Sequence, residues 1–586
     1  MALYKFLTPF TINPSIKRVY FDQNSSIICP TAKVISDAKV SNQNITRRSG
    51  NYKPPIWKYE YIQALNSEFK EELYVERFNE LKEKIGVLMN QIKDDPLKRL
   101  KLIDTLQRLG ISYHFENEIK DVLKRIYEKR FKSDDSEKNN LYAISLEFRL
   151  LRQHGFDVSQ DVFNNFEETK NFSTGLYQDL NGMVSLYEAS FLCKEGENIL
   201  EAAKHFTINY LEKYTRSCKD EYEASIIRHA LELPLHWRIS RLEARWFIDI
   251  YQRKVDMNPI LLEIAKLDFN RVQSIHQEDL KYASRWWSSI GFSEKLSFAR
   301  DRLMECFFWT VGFGFEPQLS YFRRMVTKVN ALITTIDDVY DVYGTLDELE
   351  LFTDAIERWN VDAMDQLPDY MKICFFGLYN SINEMAFDAL RDKGTNVIHD
   401  LKKTWVDLCK SYMFEAKWYH TDYKPTLEEY LDNAWISIGG PVILVHAYVF
   451  VTSPMLQDME SLEAHIDIIR CSSIILRLAD DLGTSTNELE RGDVPKSIQC
   501  YMNDTGASEN NAREHIKNLI DETWKKLNTA EVKNSILPHV FIQIAKNLAR
   551  MGQCMYQYGD GHGIGRQEIN DGVMSLLIQP ISMQPI

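Results

Sequence analysis

The sequence predicts an all-α protein, on three observations. Apolar residues recur at helical spacing along nearly the whole chain after residue 47. The periodic stretches end at short Gly, Asn or Asp breaks. Strand-like alternation of apolar and polar residues is hard to find, so helices must pack on helices.

The first 46 residues stand apart. They contain no Glu, only Asp22 and Asp37 as acids, and the bases Lys5, Lys17, Arg18, Lys33 and Lys39 among many Ser, Thr and Asn. A basic, hydroxyl-rich, acid-poor leader reads as an organelle transit peptide. A secretory signal fits less well, because Met1–Thr11 has no sustained apolar core.

The body begins at Arg47 with RRSGNYKPPIW, where Pro54-Pro55 enforces a rigid, non-helical start. Leu100, Leu102, Ile103, Leu106 and Leu109 then share a helix face that stops at Gly110. A second such helix, in LYAISLEFRLLRQHGF, stops at Gly155. Asn258-Pro259 is a turn or hinge, after which a second helical unit opens with LLEIAKLDFNRVQ. The expected units are a transit peptide over 1–46, an N-terminal helical domain over 47–260 and a C-terminal domain over 261–586. Lys132–Asn140 and Asn503–Asn511 read as solvated loops.

Bulk properties narrow the function. A chain of 586 residues, 44% hydrophobic and 26% charged, is ordinary globular material. A net charge of −14 argues against nucleic-acid binding, which needs a basic surface. Nine scattered cysteines with no CxxC pair exclude a zinc ribbon and a disulfide framework. No window approaches 18 apolar residues, so no membrane span is expected.

The chemistry lies in two acidic helix faces. In ALITTIDDVYDVYG, apolar Ala331–Ile336 leads into Asp337, Asp338 and Asp341. Asp337 and Asp341 are i and i+4, roughly 6 Å apart along a helix axis. Like charges there repel, and attachment to a buried turn adds a desolvation cost. A divalent cation removes both problems, and magnesium suits hard carboxylate oxygens and shares them with phosphates. A solvated acidic helix end is the alternative for this segment alone. In IILRLADDLGTSTNELERGDVPKSIQ, Asp480, Thr484 and Glu488 fall on one face at i, i+4 and i+8, a partial shell for one more ion. Helix propensity does not explain Gly483-Thr484 in mid-helix. Two such faces could hold a diphosphate between them. Arg477, Lys496, Arg300 and Arg302 are the cations at hand to finish neutralising it.

With these motifs in order the chain resembles plant terpene synthases. The matching elements are RR(x8)W at Arg47, Arg48 and Trp57, RDR at Arg300–Arg302, DDxxD at Asp337–Asp341, and (N/D)Dxx(S/T)xxxE at Asp480–Glu488. The resemblance implies a vestigial N-terminal α-barrel and a catalytic C-terminal α-bundle of the class I terpenoid synthase fold. It implies that Asp337 and Asp341 bind two magnesium ions and that Asp480, Thr484 and Glu488 bind a third, with manganese as a substitute. It places Arg300, Arg477 and Lys496 at the diphosphate. No DxDD motif of the protonating relatives occurs in the N-terminal half. RR(x8)W after a transit-like leader looks like plastidial monoterpene synthases, which act on geranyl diphosphate in the stroma as monomers or weak dimers. The stretches DNAWISIGGPVILVHAY and YQYGDGHG look most like enzymes making acyclic products such as linalool, ocimene or myrcene, rather than limonene or terpineol.

On this reading Trp309 is the first aromatic candidate for stabilising an allylic cation. Gly439, Gly440 and Pro441 should break a helix and free carbonyls around Ile436–Ile438 toward the cation. Tyr558–Gly563 would form part of a lid. Competing readings are a sesquiterpene synthase on farnesyl diphosphate, a chain-elongating prenyltransferase and a non-catalytic helical binding protein.

Overall fold

The computed structural model describes residues 47–583, except 93, 131–139, 165–178, 453–461, 463, 492–493, 534–536 and 562–566. The side chains of Arg130 and of 486–491 are likewise not described. The leader, most of the Lys132–Asn140 loop and the end of the Tyr558–Gly563 segment therefore lie outside the described residues. Every regular element among the described residues is helical, as the periodicity predicts.

Local signals set the helix ends. Asp95 caps Pro96–Arg108 by accepting from the Lys98 amide, and Gly110 follows at φ +74°. Asn140 caps Leu141–Gln153, and Gly155 follows at φ +79°. Asn258-Pro259 is the N-cap and first position of Pro259–Ile290, a 32-residue helix that threads the core. From Arg47 on, the described residues pack as one compact unit.

Six segments surround the central cavity of the C-terminal part. They are Leu303–Phe313, Ser320–Asp338, Ile398–Thr421, the pair Leu427–Ser437 and Gly440–Val451, Ile466–Arg491 and His539–Tyr556. Every residue of Leu303–Phe313 is buried, and its Trp309 joins Ile333, Ile438, Ile443 and Leu476 as the apolar part of the cavity lining. The Ser320–Asp338 helix is fixed at its start by a buried carboxylate. Asp279 accepts from Arg323 Nε at 2.9 Å and from Arg324 Nε at 2.7 Å. Breaking such a buried pair costs about 3–5 kcal/mol, so this anchor holds the helix in place. The stretch Leu427–Val451 is apolar enough by composition to cross a membrane, but 67% of its apolar window is buried inside the protein and it is interrupted at Gly439.

One buried acid in the N-terminal part makes stability pH-dependent. Glu188, on Leu180–Ser190, accepts from the Leu235 amide at 2.7 Å. Burial lifts its carboxyl to about 7, against the opposing pull of that amide and of Arg108 and Arg149. The folded carboxyl holds its proton more tightly than the unfolded one, so stability falls as pH rises from about 4.5 to about 7 and is level on either side. Glu188→Gln should flatten that decline, which is at most about 3 kcal/mol, in melting temperatures taken across this window.

Candidate active site

A cavity of about 470 Å³ gathers the residues that the sequence singles out, a size ordinary for a small-ligand site. Asp337, Asp341, Arg300, Arg302 and Trp309 line it on one side, and Arg477, Asp480, Thr484 and Lys496 on the other. Positions nearly 200 residues apart in the chain thus face a common space. Glu488 lies on the Ile466–Arg491 helix, and its side chain is outside the description.

The first acidic face differs in detail from a plain α-helix. The α-helix ends at Asp338, and Val339–Tyr343 continues as a π-helical turn. Such turns widen the helix and recur at functional sites. Asp337 and Asp341 both still reach the cavity, while Asp338 is fully buried. Arg300 spans the two neighbouring acids. Its Nη2 pairs with Asp337, its Nε lies 2.9 Å from Asp338 Oδ1, and its backbone amide donates to Asp338 Oδ2 at 2.7 Å. Burial raises the Asp338 carboxyl above the usual carboxylate range, against the pull of Arg300. Asp338 therefore orients the arginine, leaving Asp337 and Asp341 at the open surface of the cavity.

The second face repeats this arrangement. Arg477 pairs with Asp480 and its Nε lies 2.8 Å from Asp481 Oδ1. Asp481 is buried and also accepts from Tyr430 Oη at 3.0 Å and from the Ser497 amide at 3.1 Å. Again one acid of the pair faces the cavity and its neighbour holds the arginine. Thr484 Oγ1 donates to the Asp480 carbonyl at 2.9 Å. The mid-helix glycine has a packing reason. A Cβ on Gly483 would lie 2.9 Å from Tyr556 Cβ and 3.0 Å from the Tyr556 carbonyl oxygen.

The tandem arginines act on the first face from outside. Arg47 grips Glu348 with two hydrogen bonds of 2.7 and 2.8 Å, donates to the Tyr343 carbonyl and stacks over the Tyr343 ring. Burial would raise Glu348, but Arg47, the Thr345 amide and Tyr370 outweigh it and hold the carboxyl at about 2. Arg48 donates to the Asp341 carbonyl at 3.0 Å. Residues Gly50–Lys53 then line the cavity, and the Tyr52 ring lies 5.2 Å from the Arg300 guanidinium. Trp57 is half-buried nearby against Tyr61.

Trp309 reaches the cavity, 6.2 Å between ring centroids from Tyr556, which also lines it. The helix break falls where Gly439-Gly440-Pro441 predicts. Gly439 adopts φ +80°, and Ser437 and Ile438 line the cavity. One expectation needs correction: the Ile436 carbonyl already accepts the Gly439 amide at 2.9 Å, so it is not freed by the break. Asp560 lines the cavity, whereas Tyr558 is turned outward and donates to Glu232. Sequence reasoning missed Asn330, Thr334, Tyr412 and Glu415, all on the wall. Asn330 and Thr334 sit at i−7 and i−3 from Asp337 on one helix face, a signal that could have found them.

Among the described residues every regular element is helical and two arginine-paired acidic faces line one cavity, an arrangement suited to a metal-assisted enzyme of phosphorylated substrates. The chain belongs to the terpene synthase family. Its residues 56–231 match the family model "Terpene synthase, N-terminal domain", and residues 288–526 match "Terpene synthase family, metal binding domain". A chloroplastic myrcene synthase of Quercus ilex is 57% identical, covering 96% of this chain and 94% of the relative. The crystal structure of a limonene synthase with 2-fluorolinalyl diphosphate is 47% identical with TM-score 0.88, covering 92% of this chain and 100% of that one. Isoprene synthase from grey poplar, in complex with three Mg2+ ions and dimethylallyl-S-thiolodiphosphate, is 44% identical with TM-score 0.82, covering 90% and 99%.

Proposed function

We propose that this chain is a plastid-targeted monoterpene synthase that ionises geranyl diphosphate and releases diphosphate. The observation that carries the reading is the pair of acidic faces, each paired with its own arginine, lining one cavity together with Trp309, Ile333, Ile438, Ile443 and Leu476. The leader and the chloroplastic relative support the location.

The donor set suits magnesium. Asp337, Asp341, Asp480 and Thr484 offer only hard oxygens, with Glu488 as the fifth expected ligand. Among the described residues no three acidic, His or Cys groups form a ready-made metal site. That suits an ion completing its shell with water and substrate oxygens. Bound there, three magnesium ions, or manganese in their place, would act as Lewis acids on the diphosphate. The grey poplar complex, with its three ions, supports that number.

The chain's own residues do the rest. Arg300, Arg477 and Lys496 stabilise charge on the leaving diphosphate as the carbon–oxygen bond breaks. Asp337 and Asp480, each paired with an arginine, would hold metal, and Arg300 and Arg477 would face the diphosphate. Ile333, Ile438, Ile443 and Leu476 exclude water from the allylic cation. Trp309 and Tyr556 offer it ring faces without a nucleophile. We assign 47–260 to the N-terminal helical domain and 261–586 to the catalytic one, a division that brackets the two family-model matches. Acyclic products such as linalool, ocimene or myrcene are the favoured outcome.

The test is incubation of the full chain, and of a variant beginning at Arg47, with geranyl or farnesyl diphosphate and magnesium. Volatile ten-carbon products from geranyl diphosphate are expected. Turnover of farnesyl diphosphate alone would favour a sesquiterpene synthase.

A further inference from the structure

The cavity wall holds a carboxylate that no acidic motif includes. Glu415 lies on Ile398–Thr421 and is 6% exposed. Its two oxygens have different partners. Oε1 accepts from Ser437 Oγ at 2.5 Å and from Asn433 Nδ2 at 3.0 Å. Ser437 and Asn433 are i and i−4 on the helix that ends at the Gly439 break. Oε2 faces the Lys496 ammonium at 3.9 Å. Two neutral donors thus pin one oxygen while the other points at Lys496, which lines the same cavity.

We propose that Glu415 is a positioning residue for Lys496, holding its ammonium aimed at the diphosphate. The inference rests on the reading of Lys496 as a diphosphate contact. Lys496 is 7% exposed, so its ammonium lies inside the wall beside the Glu415 carboxylate. A lysine stem carries about 2 kcal/mol of rotamer entropy, part of which a fixed carboxylate removes before substrate arrives. At 3.9 Å the pair is within ion-pair reach but beyond hydrogen-bond length, so Glu415 attracts the ammonium without a direct hydrogen bond to it. The diphosphate can then take the ammonium over, with Lys496 between the two anions. Ser437 extends the link to the helix break beside Ile438, so the aim of the lysine is tied to the shape of the cavity.

Inorganic diphosphate, which lacks the prenyl chain, is the probe. Its inhibition constant is measured for the full chain and for Glu415→Gln, Lys496→Gln and the double variant, with circular dichroism and melting temperature as fold controls. Glu415→Gln should weaken inhibition about five- to tenfold alone, and less than about twofold once Lys496 is already replaced, the non-additivity expected of one linked unit. Glu415→Asp should recover part of the loss. Should Glu415→Gln fail to fold, Ser437→Ala removes the anchor instead and should shift inhibition in the same direction by a smaller factor. Full and independent losses in both backgrounds would overturn the proposal while leaving Lys496 a diphosphate contact, as would tighter inhibition in Glu415→Gln, which would mark the carboxylate as merely repelling the anion. An unchanged constant in Lys496→Gln would overturn the reading of Lys496 itself, and the proposal with it.

Discussion

Asp337→Ala should lower turnover of geranyl diphosphate by about three orders of magnitude or more, the equivalent of at least about 4 kcal/mol of transition-state stabilisation. Asp337 is the partly exposed member of the Asp337–Asp338 pair and lines the cavity opposite Asp480. Its removal deletes a proposed ligand of the metal cluster and leaves Arg300 tied to Asp338 alone. The fold should not notice. The Ser320–Asp338 helix is anchored at its other end by Asp279, and Asp338 keeps its bonds to Arg300. Far-ultraviolet circular dichroism and melting temperature should therefore match the parent protein. A chelator added to the parent should reproduce the loss, and added magnesium should reverse it. Substantial activity in Asp337→Ala, or in the parent with excess chelator, would sink the metal-cluster assignment.

The contrast between Asp337 and Asp338 shows where the sequence is legible and where it is not. Spacing alone marks Asp337 and Asp341 as partners, and both reach the cavity. Spacing does not reveal that Asp338 is buried against Arg300, because that bond joins residues 38 apart. The second face is more legible: Arg477 lies three and four residues before Asp480 and Asp481, so spacing announces those pairs, whereas the bond from Tyr430 to Asp481 spans 51 residues and does not show. Helix boundaries set by local chemistry, such as the Asp95 and Asn140 caps and the Gly439 break, follow from residue type. The π-helical turn over Val339–Tyr343 does not, since its bonds depend on how the turn packs. Arg47 and Arg48 are visible as a motif, but their grip on Glu348 and on the Asp341 carbonyl spans about 300 residues and is set by tertiary folding. Glu415 carries no sequence signal, because its partners are distant in the chain: Ser437 lies on another helix and Lys496 at the N-cap of Ser497–Thr505.

Gly483→Ala should be the most damaging conservative substitution in the second acidic face. Helix propensity taken alone predicts the opposite, because alanine stabilises a helix interior by about 1 kcal/mol over glycine. The deciding term is contact. The added methyl would sit 2.9 Å from Tyr556 Cβ, 3.0 Å from the Tyr556 carbonyl oxygen and 3.1 Å from the Gly559 carbonyl oxygen. Two of those atoms are backbone, so no change of rotamer relieves them. The Ile466–Arg491 helix must then part from the end of His539–Tyr556, with an overpacking cost of about 1–3 kcal/mol that outweighs the propensity gain. The movement falls on Thr484, the next residue, and on Tyr556 and Asp560, which line the cavity. A lower melting temperature and a loss of at least about tenfold in kcat/KM are expected, because displacements near 1 Å at a reacting centre carry such factors. Gly86→Ala is the matched control. Gly86 is interior to the Glu72–Gln91 helix, and a Cβ there meets nothing within 4 Å. With contact absent, propensity decides, and that variant should melt slightly higher with unchanged turnover. Should both variants behave alike, close approach at Gly483 is not what keeps the glycine inside the Ile466–Arg491 helix.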